Sequence, residues 1–312
     1  MFQIEVAGLV IRIENRYPDV RELCRDYITG DDRKADICVS VSEEELQTEI
    51  DKSPEYFFGK GYAEGVVAYE KISNALPAFD AFVMHGSVVE VDGGAYAFSA
   101  ESGTGKTTHT RYWKEVLGDR LRVINGDKPI MRFVNVESLR RGAPSTALSS
   151  HRHSVPKGLR KRTRTAGVIP ASRTARISAP SLKTSTLALF PGAPNHRMTS
   201  LSDVSLSSEA SEALVAYGTP WCGKEGWNTN TCAPLKALCL LERGEKNEIF
   251  PIDAFEHLGE LMGHFHLPGN GQVDMVKLMK LIDRMVNIVP VYRLHCTNDI
   301  SAAETAIKYF GL

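Results

Sequence analysis

The sequence predicts a mixed α/β (α+β) fold on three observations. Runs of alternating apolar and polar residues are interleaved with runs of helical spacing, a β-branched hairpin pattern spans 82–99, and that hairpin leads straight into a glycine-rich stretch followed by a helix. With 312 residues, 43% of them hydrophobic, the chain can build one sizeable core and a smaller lobe. The expected organisation is a small N-terminal α/β lobe over 1–77 and a larger core over 78–312, interrupted by a basic low-complexity insertion at about 135–215.

Residues 1–6 and 9–14 alternate as strands do, 19–27 has helical spacing, 36–41 reads as a strand, and 62–76 as a longer helix closed by Pro77, whose ring biases the preceding residue away from helix. Residues 82–91 and 95–99 are two apolar, β-branched runs joined by Asp92-Gly93-Gly94, which tolerate positive φ and so predict a hairpin. Helical spacing over 108–117 stops at Gly118, and the short strand 121–124 ends in Asn125-Gly126-Asp127. Strand-like 130–134 follows. Far downstream, 234–242 reads as a buried strand, 254–265 and 273–287 as amphipathic helices, 291–295 as a strand and 302–310 as a closing helix.

The stretch 135–215 stands apart. It is rich in Ser, Thr, Arg, Ala and Pro, and its part between 138 and 202 holds 12 Lys or Arg and no acidic residue. Such composition buries too little apolar surface to offset an ordering entropy of roughly 1–2 kcal/mol per residue, so disorder is expected there. Cut out, it leaves 130–134 running on to 216–219. Its charge run 160–164 lacks interleaved aromatics, so a disordered loop, or translated DNA never selected as protein, is favoured over an arm for nucleic acid or an acidic partner. Elsewhere 25 basic residues face 38 acidic ones, a balance that argues against nucleic-acid binding by the body of the protein. No apolar run approaches the ~20 residues of a membrane-spanning helix, and the start has neither the basic nor the long apolar region of a secretory signal. Six scattered cysteines without a Cys-x-x-Cys pair fit a reducing, cytoplasmic setting, with Cys222 and Cys232 read as buried small apolar residues.

The chemistry is concentrated in Ala100-Glu101-Ser102-Gly103-Thr104-Gly105-Lys106-Thr107-Thr108, which matches the P-loop pattern except that Ala100 stands at its first glycine. Gly103 and Gly105 let the backbone turn its N–H groups toward phosphate oxygens, and the following helix N-terminus adds a favourable dipole. Lys106 is the candidate for the β- and γ-phosphates and the Thr107 hydroxyl for Mg²⁺, while Ser102, Thr104 and Thr108 complete the nucleotide-binding set. Asp127, at the end of the next strand, would open onto the same crevice and reach the metal or the attacking hydroxyl.

Together, the hairpin entering the loop, the Ser102 to Thr107 motif and the strand-end Asp127 make the core resemble the HPr kinase/phosphorylase and phosphoenolpyruvate carboxykinase superfamily, especially the small HPr-kinase-like proteins. The resemblance covers about 82–134 and 216–252, and implies a carboxykinase-like P-loop core of mixed sheet with helices. In HPr kinase a His-Gly pair precedes the P-loop strand, matched by His85-Gly86. Two adjacent aspartates then follow the P-loop helix, one acting as base on the substrate serine and one on magnesium; here those positions are Gly126 and Asp127. Only the second is present, so Asp127 would serve both ends or be assisted by His85. The Gly-x-Pro-Trp/Phe-x-Gly segment of the small proteins is similar to Gly218-Thr219-Pro220-Trp221-Cys222-Gly223, and Lys224 beside it is a candidate to close over the phosphates or the acceptor. The implied activity is ATP- and Mg²⁺-dependent phosphoryl transfer to a hydroxyl, by resemblance a serine of a small protein or peptide. The alternative, suggested by the missing aspartate, is a degenerate nucleotide-binding sensor.

Overall fold

A computed structural model describes residues 1–52, 58–136, 212–266 and 274–312. Strands β1 (Phe2–Val6) and β2 (Leu9–Glu14) form an antiparallel hairpin turned by Ala7 and Gly8, both at positive φ. After helix α1 (Pro18–Leu23), β3 (Ile37–Ser40) returns parallel to β2, giving the three-stranded order β1-β2-β3. Helices α2 (Glu43–Lys52) and α3 (Lys60–Ala75) follow. Leu46 and the α3 residues Ala63, Val67, Ala68 and Ile72 pack with the inner face of this sheet in one apolar cluster. That cluster continues without a break into Val83, Ile130, Tyr217 and Trp221, and the Trp221 indole donates to the Gly65 carbonyl at 3.1 Å.

The second sheet has nine strands among the described residues. Its path runs β4 (Ala81–Val83), β8 (Ile130–Asn135), β9 (Glu212–Tyr217), β10 (Cys232–Arg243), β6 (Gly94–Ser99), β5 (Ser87–Val91) and β7 (Leu121–Asn125). Strand β12 (Val291–Cys296) adds to β10, and β11 (Glu248–Pro251) to β12. The twelve-residue β10 is the spine of this mixed sheet. Its first three residues pair antiparallel with β9; beyond an irregularity at Leu235–Ala237 it runs parallel to β6, and from Leu238 also parallel to β12. Helix α4 (Lys106–Leu117) and α7 (Ser301–Phe310) cover one side, where Trp113, Phe98, Ala303 and Ile307 share a cluster. Another cluster joins α5 (Leu258–Met262) and α6 (Met275–Ile288) to Phe82, Leu238 and Val291.

Several sequence expectations need correction. The run 82–91 is not one strand but β4 and β5, separated at Met84-His85-Gly86. There the chain leaves β8 for β6 and β7, passing so close that a Cβ on Gly86 would lie 2.9 Å from the Phe98 carbonyl oxygen. The helix expected over 254–265 shrinks to α5: after Met262 the chain turns and then pairs beside β4, with Phe265 bridging Met84 and the His266 N–H donating to Val83. The helix over 19–27 is α1 plus a separate 3₁₀ turn, Arg25–Tyr27. Helix α2 was not anticipated, although Ser42 and Glu45 form a capping box, Glu45 accepting from the Ser42 N–H at 2.8 Å and Ser42 from the Glu45 N–H at 3.2 Å. Residues 212–215, expected within the insertion, belong to β9, and Glu212 lies opposite Asn135 across the β8–β9 ladder. The insertion's 137–211 and residue 273 lie outside the described residues. Cys222 and Cys232 are buried as expected.

Candidate functional site

The glycine-rich loop lies where β6 ends, beside the carboxyl ends of the parallel strands β10 and β12. In sheets of this kind ligands commonly bind beside the carboxyl ends of the parallel strands. Gly103 and Gly105 have φ of 83° and 122°, and a Cβ at either would meet nothing within 4 Å, so conformation rather than crowding requires glycine there. Ala100, at the motif's first position, is buried. Its carbonyl accepts from Lys106 Nζ at 2.7 Å, with the Glu101 carbonyl at 3.4 Å. Helix α4 begins at Lys106 without a side-chain cap, so its first N–H groups are left for a ligand or water. Ser102 is exposed; Thr104, Thr107 and Thr108 are half-buried. The helix is fixed from below by buried Trp113, whose indole donates to His109 Nε2 at 2.9 Å, and by a 2.8 Å hydrogen bond between Thr110 and Ser87 on β5.

Asp127 follows β7 and is held by Asn125. The Asn125 Oδ1 accepts the N–H groups of Asp127 (2.8 Å) and Lys128 (2.7 Å), while its amide donates to the Thr219 carbonyl (3.1 Å), the Thr219 hydroxyl (3.0 Å) and the Trp221 carbonyl (3.3 Å). One buried amide thus sews the β7 turn to the 218–223 segment. His85 Nε2 lies 3.3 Å from Asp127 Oδ1, and the Gly86 N–H donates to the Asp127 carbonyl at 2.9 Å. Burial pushes the Asp127 pKa up, but the His85 hydrogen bond and the charges of Lys128, His85 and Lys106 together outweigh it and hold the carboxyl below its ordinary value. Lys106 is lowered by burial, with Asp127 opposing. Lys106, Asp127 and His85 therefore form one electrostatic group. Lys224 is exposed, on a turn between Gly223 and Gly226; Gly223 packs on Asp127, and Glu225 pairs with Arg111 of α4 at 3.4 Å.

Position 126 is tight for a side chain. A Cβ there would stand 3.1 Å from the Cys222 carbonyl oxygen and 3.4 Å from Trp227, to whose carbonyl the Gly126 N–H is bonded at 2.8 Å. The loop after Trp221 stands against the point from which a side chain at 126 would start.

Arg243, not singled out in the sequence, comes from the end of β10 and donates to the Gly103 carbonyl at 2.7 Å. Beside it lies a cleft of 460 Å³ lined by Gly103 to Gly105, Thr108, Tyr112, Glu242, Arg243 and the Cys296 to Asn298 turn. No local pattern marks Arg243; its pairing with the loop spans 140 residues of sequence. Among the described residues no group of three or more His, Cys, Asp or Glu could hold a metal by itself. The Thr107 hydroxyl and Asp127 carboxylate are hard oxygen donors of the kind Mg²⁺ takes alongside phosphate oxygens and water. No helix of the described residues is long and apolar enough to cross a membrane.

No family model matches the chain, and no curated protein matches it.

Proposed function

We propose that the protein binds ATP with Mg²⁺ and transfers the γ-phosphoryl group to a hydroxyl. The observation that carries this reading is the gathering of Lys106, Asp127 and His85 beside a loop with positive φ at Gly103 and Gly105, at the carboxyl edge of parallel strands. The N–H groups of the loop and of the first turn of α4 cradle the phosphates, and Lys106 exchanges its loop carbonyls for β- and γ-oxygens. Thr107 and Asp127 hold Mg²⁺, which neutralises charge developing on the transferred group. The nucleoside seats in the 460 Å³ cleft beside Arg243. With glycine at 126, Asp127 also orients the acceptor hydroxyl, and hydrogen-bonded His85 assists in removing its proton. Catalysis then rests on position and charge rather than on a covalent intermediate. A serine acceptor is supported by the resemblance alone.

The second reading, a nucleotide sensor without turnover, is favoured by the crowding at Gly126. Transfer of labelled γ-phosphate from ATP to a peptide library, to small hydroxylated acceptors and to water separates the two. Turnover that falls about a hundredfold or more in Asp127→Asn supports the kinase; tight binding with no transfer supports the sensor.

A further inference from the structure

Lys128, next to Asp127, is a half-buried ammonium for which no hydrogen-bond acceptor stands among the described residues. Its Nζ lies 4.5 Å from the centre of the Tyr69 ring. Tyr69 is itself buried, at 3% exposure, and its hydroxyl has no hydrogen-bond partner among the described residues. The His266 ring lies 5.0 Å from that of Tyr69, and its buried Nε2 is likewise unpartnered. Lys128, the Tyr69 hydroxyl and His266 Nε2, a donor in one of the two neutral tautomers, are thus collected near the candidate phosphoryl-transfer carboxylate with no hydrogen-bond acceptor among the described residues. Buried donors are ordinarily satisfied, and an ammonium has donors only, so this cluster calls for acceptor atoms. Burial lowers the Lys128 pKa from its ordinary value, and the charges of Asp127, Glu70 and Glu49 oppose that shift. Lys128 and His85 stay partly exposed, so Lys128 is the member of the group that meets solute, while the Tyr69 hydroxyl and His266 Nε2 lie below the surface.

We propose that Lys128, the Tyr69 hydroxyl and His266 Nε2 form an oxyanion subsite beside Asp127, which binds a carboxylate or phosphate carried by the molecule that accepts the phosphoryl group. The word acceptor rests on the kinase reading; the oxyanion site does not. The subsite makes the substrate a small hydroxylated anion rather than an uncharged peptide serine. One charge-assisted bond lost from such a site weakens binding by about tenfold or more.

The test is calorimetry on the full chain, in a Lys106→Met background that removes the loop's lysine, with inorganic phosphate, glycerol 3-phosphate and glycerate as probes. The background variant is expected to bind at least one probe, and adding Lys128→Met or Tyr69→Phe to weaken it about tenfold or more. Tyr69→Phe keeps the ring, and urea midpoints of each variant verify folding. Preference between the two organic probes distinguishes phosphate from carboxylate. Absence of probe binding in the folded Lys106→Met protein, or equal binding by the folded double variants, overturns the subsite. ATP binding to the unsubstituted protein is measured alongside. Oxyanion binding without ATP binding removes the kinase reading and leaves the subsite; ATP binding without an oxyanion effect does the reverse.

Discussion

Replacing Asn125 by alanine removes the amide that holds Asp127 in place. Asn125 is completely buried, and its Oδ1 is the acceptor for two N–H groups, those of Asp127 and Lys128. The carbonyls it serves keep other donors: Asn228 reaches the Thr219 carbonyl at 2.9 Å, and the Thr219 hydroxyl reaches that of Trp221 at 3.1 Å. The loss therefore falls mainly on two N–H donors, each costing about 1–3 kcal/mol when left unpaired. The sum is about 2–6 kcal/mol, toward the lower end where water enters the space. Urea unfolding of Asn125→Ala against the unsubstituted protein measures it, with unchanged m-value required for a stability reading. A difference below about 1 kcal/mol refutes the role assigned to this side chain. The same variant should lose phosphoryl transfer more than it loses ATP affinity, since it frees Asp127 and leaves the loop intact.

Burial lowers the pKa of His109 to about 3, and burial with the charges of Lys128 and His85 lowers that of His266 to about 4. Both are neutral when folded and gain a proton on unfolding, so their contribution is complete above the unfolded value near 6.5 and is lost as pH falls toward the folded values. At pH about 4.5 each costs about 2–3 kcal/mol, and a urea midpoint that does not fall between pH about 7 and about 4.5 contradicts this. Arg243→Ala removes the bond to the Gly103 carbonyl and should weaken ATP binding by up to about tenfold, because the bond is partly exposed; an unchanged affinity would separate Arg243 from the nucleotide. Gly126→Asp should destabilise by about 1–3 kcal/mol through crowding against Cys222 and Trp227, without raising turnover. A stable, faster Gly126→Asp enzyme would show that the space is available after all.

The parts of the fold legible in the sequence are those whose cause is local. The strand 95–99, the glycine turn and the helix ending at Gly118 are set by neighbouring residues, and they form β6, the loop and α4, with the helix starting at Lys106 rather than 108. Helix α2 was also legible, through the Ser42 to Glu45 capping box, but its single buried residue, Leu46, left no apolar period to notice. Where tertiary pairing decides, local pattern misleads: Leu258, Leu261, Met262 and Phe265 have helical spacing, yet the chain turns after Met262 and pairs beside β4 at Phe265 and His266. The candidate site divides in the same way. Lys106 and Asp127 stand in local patterns, whereas Arg243 reaches the loop at Gly103, and Tyr69 reaches Lys128 and His266, through pairings that no short window contains.

The central claim is that the loop from Ala100 to Thr107 holds the triphosphate of ATP, and equilibrium titration of the folded protein with ATP and Mg²⁺ tests it most directly. The account predicts saturable binding at one site, weakened by about tenfold or more in Lys106→Ala. No binding by the unsubstituted protein, or equal affinity in the two, would contradict it.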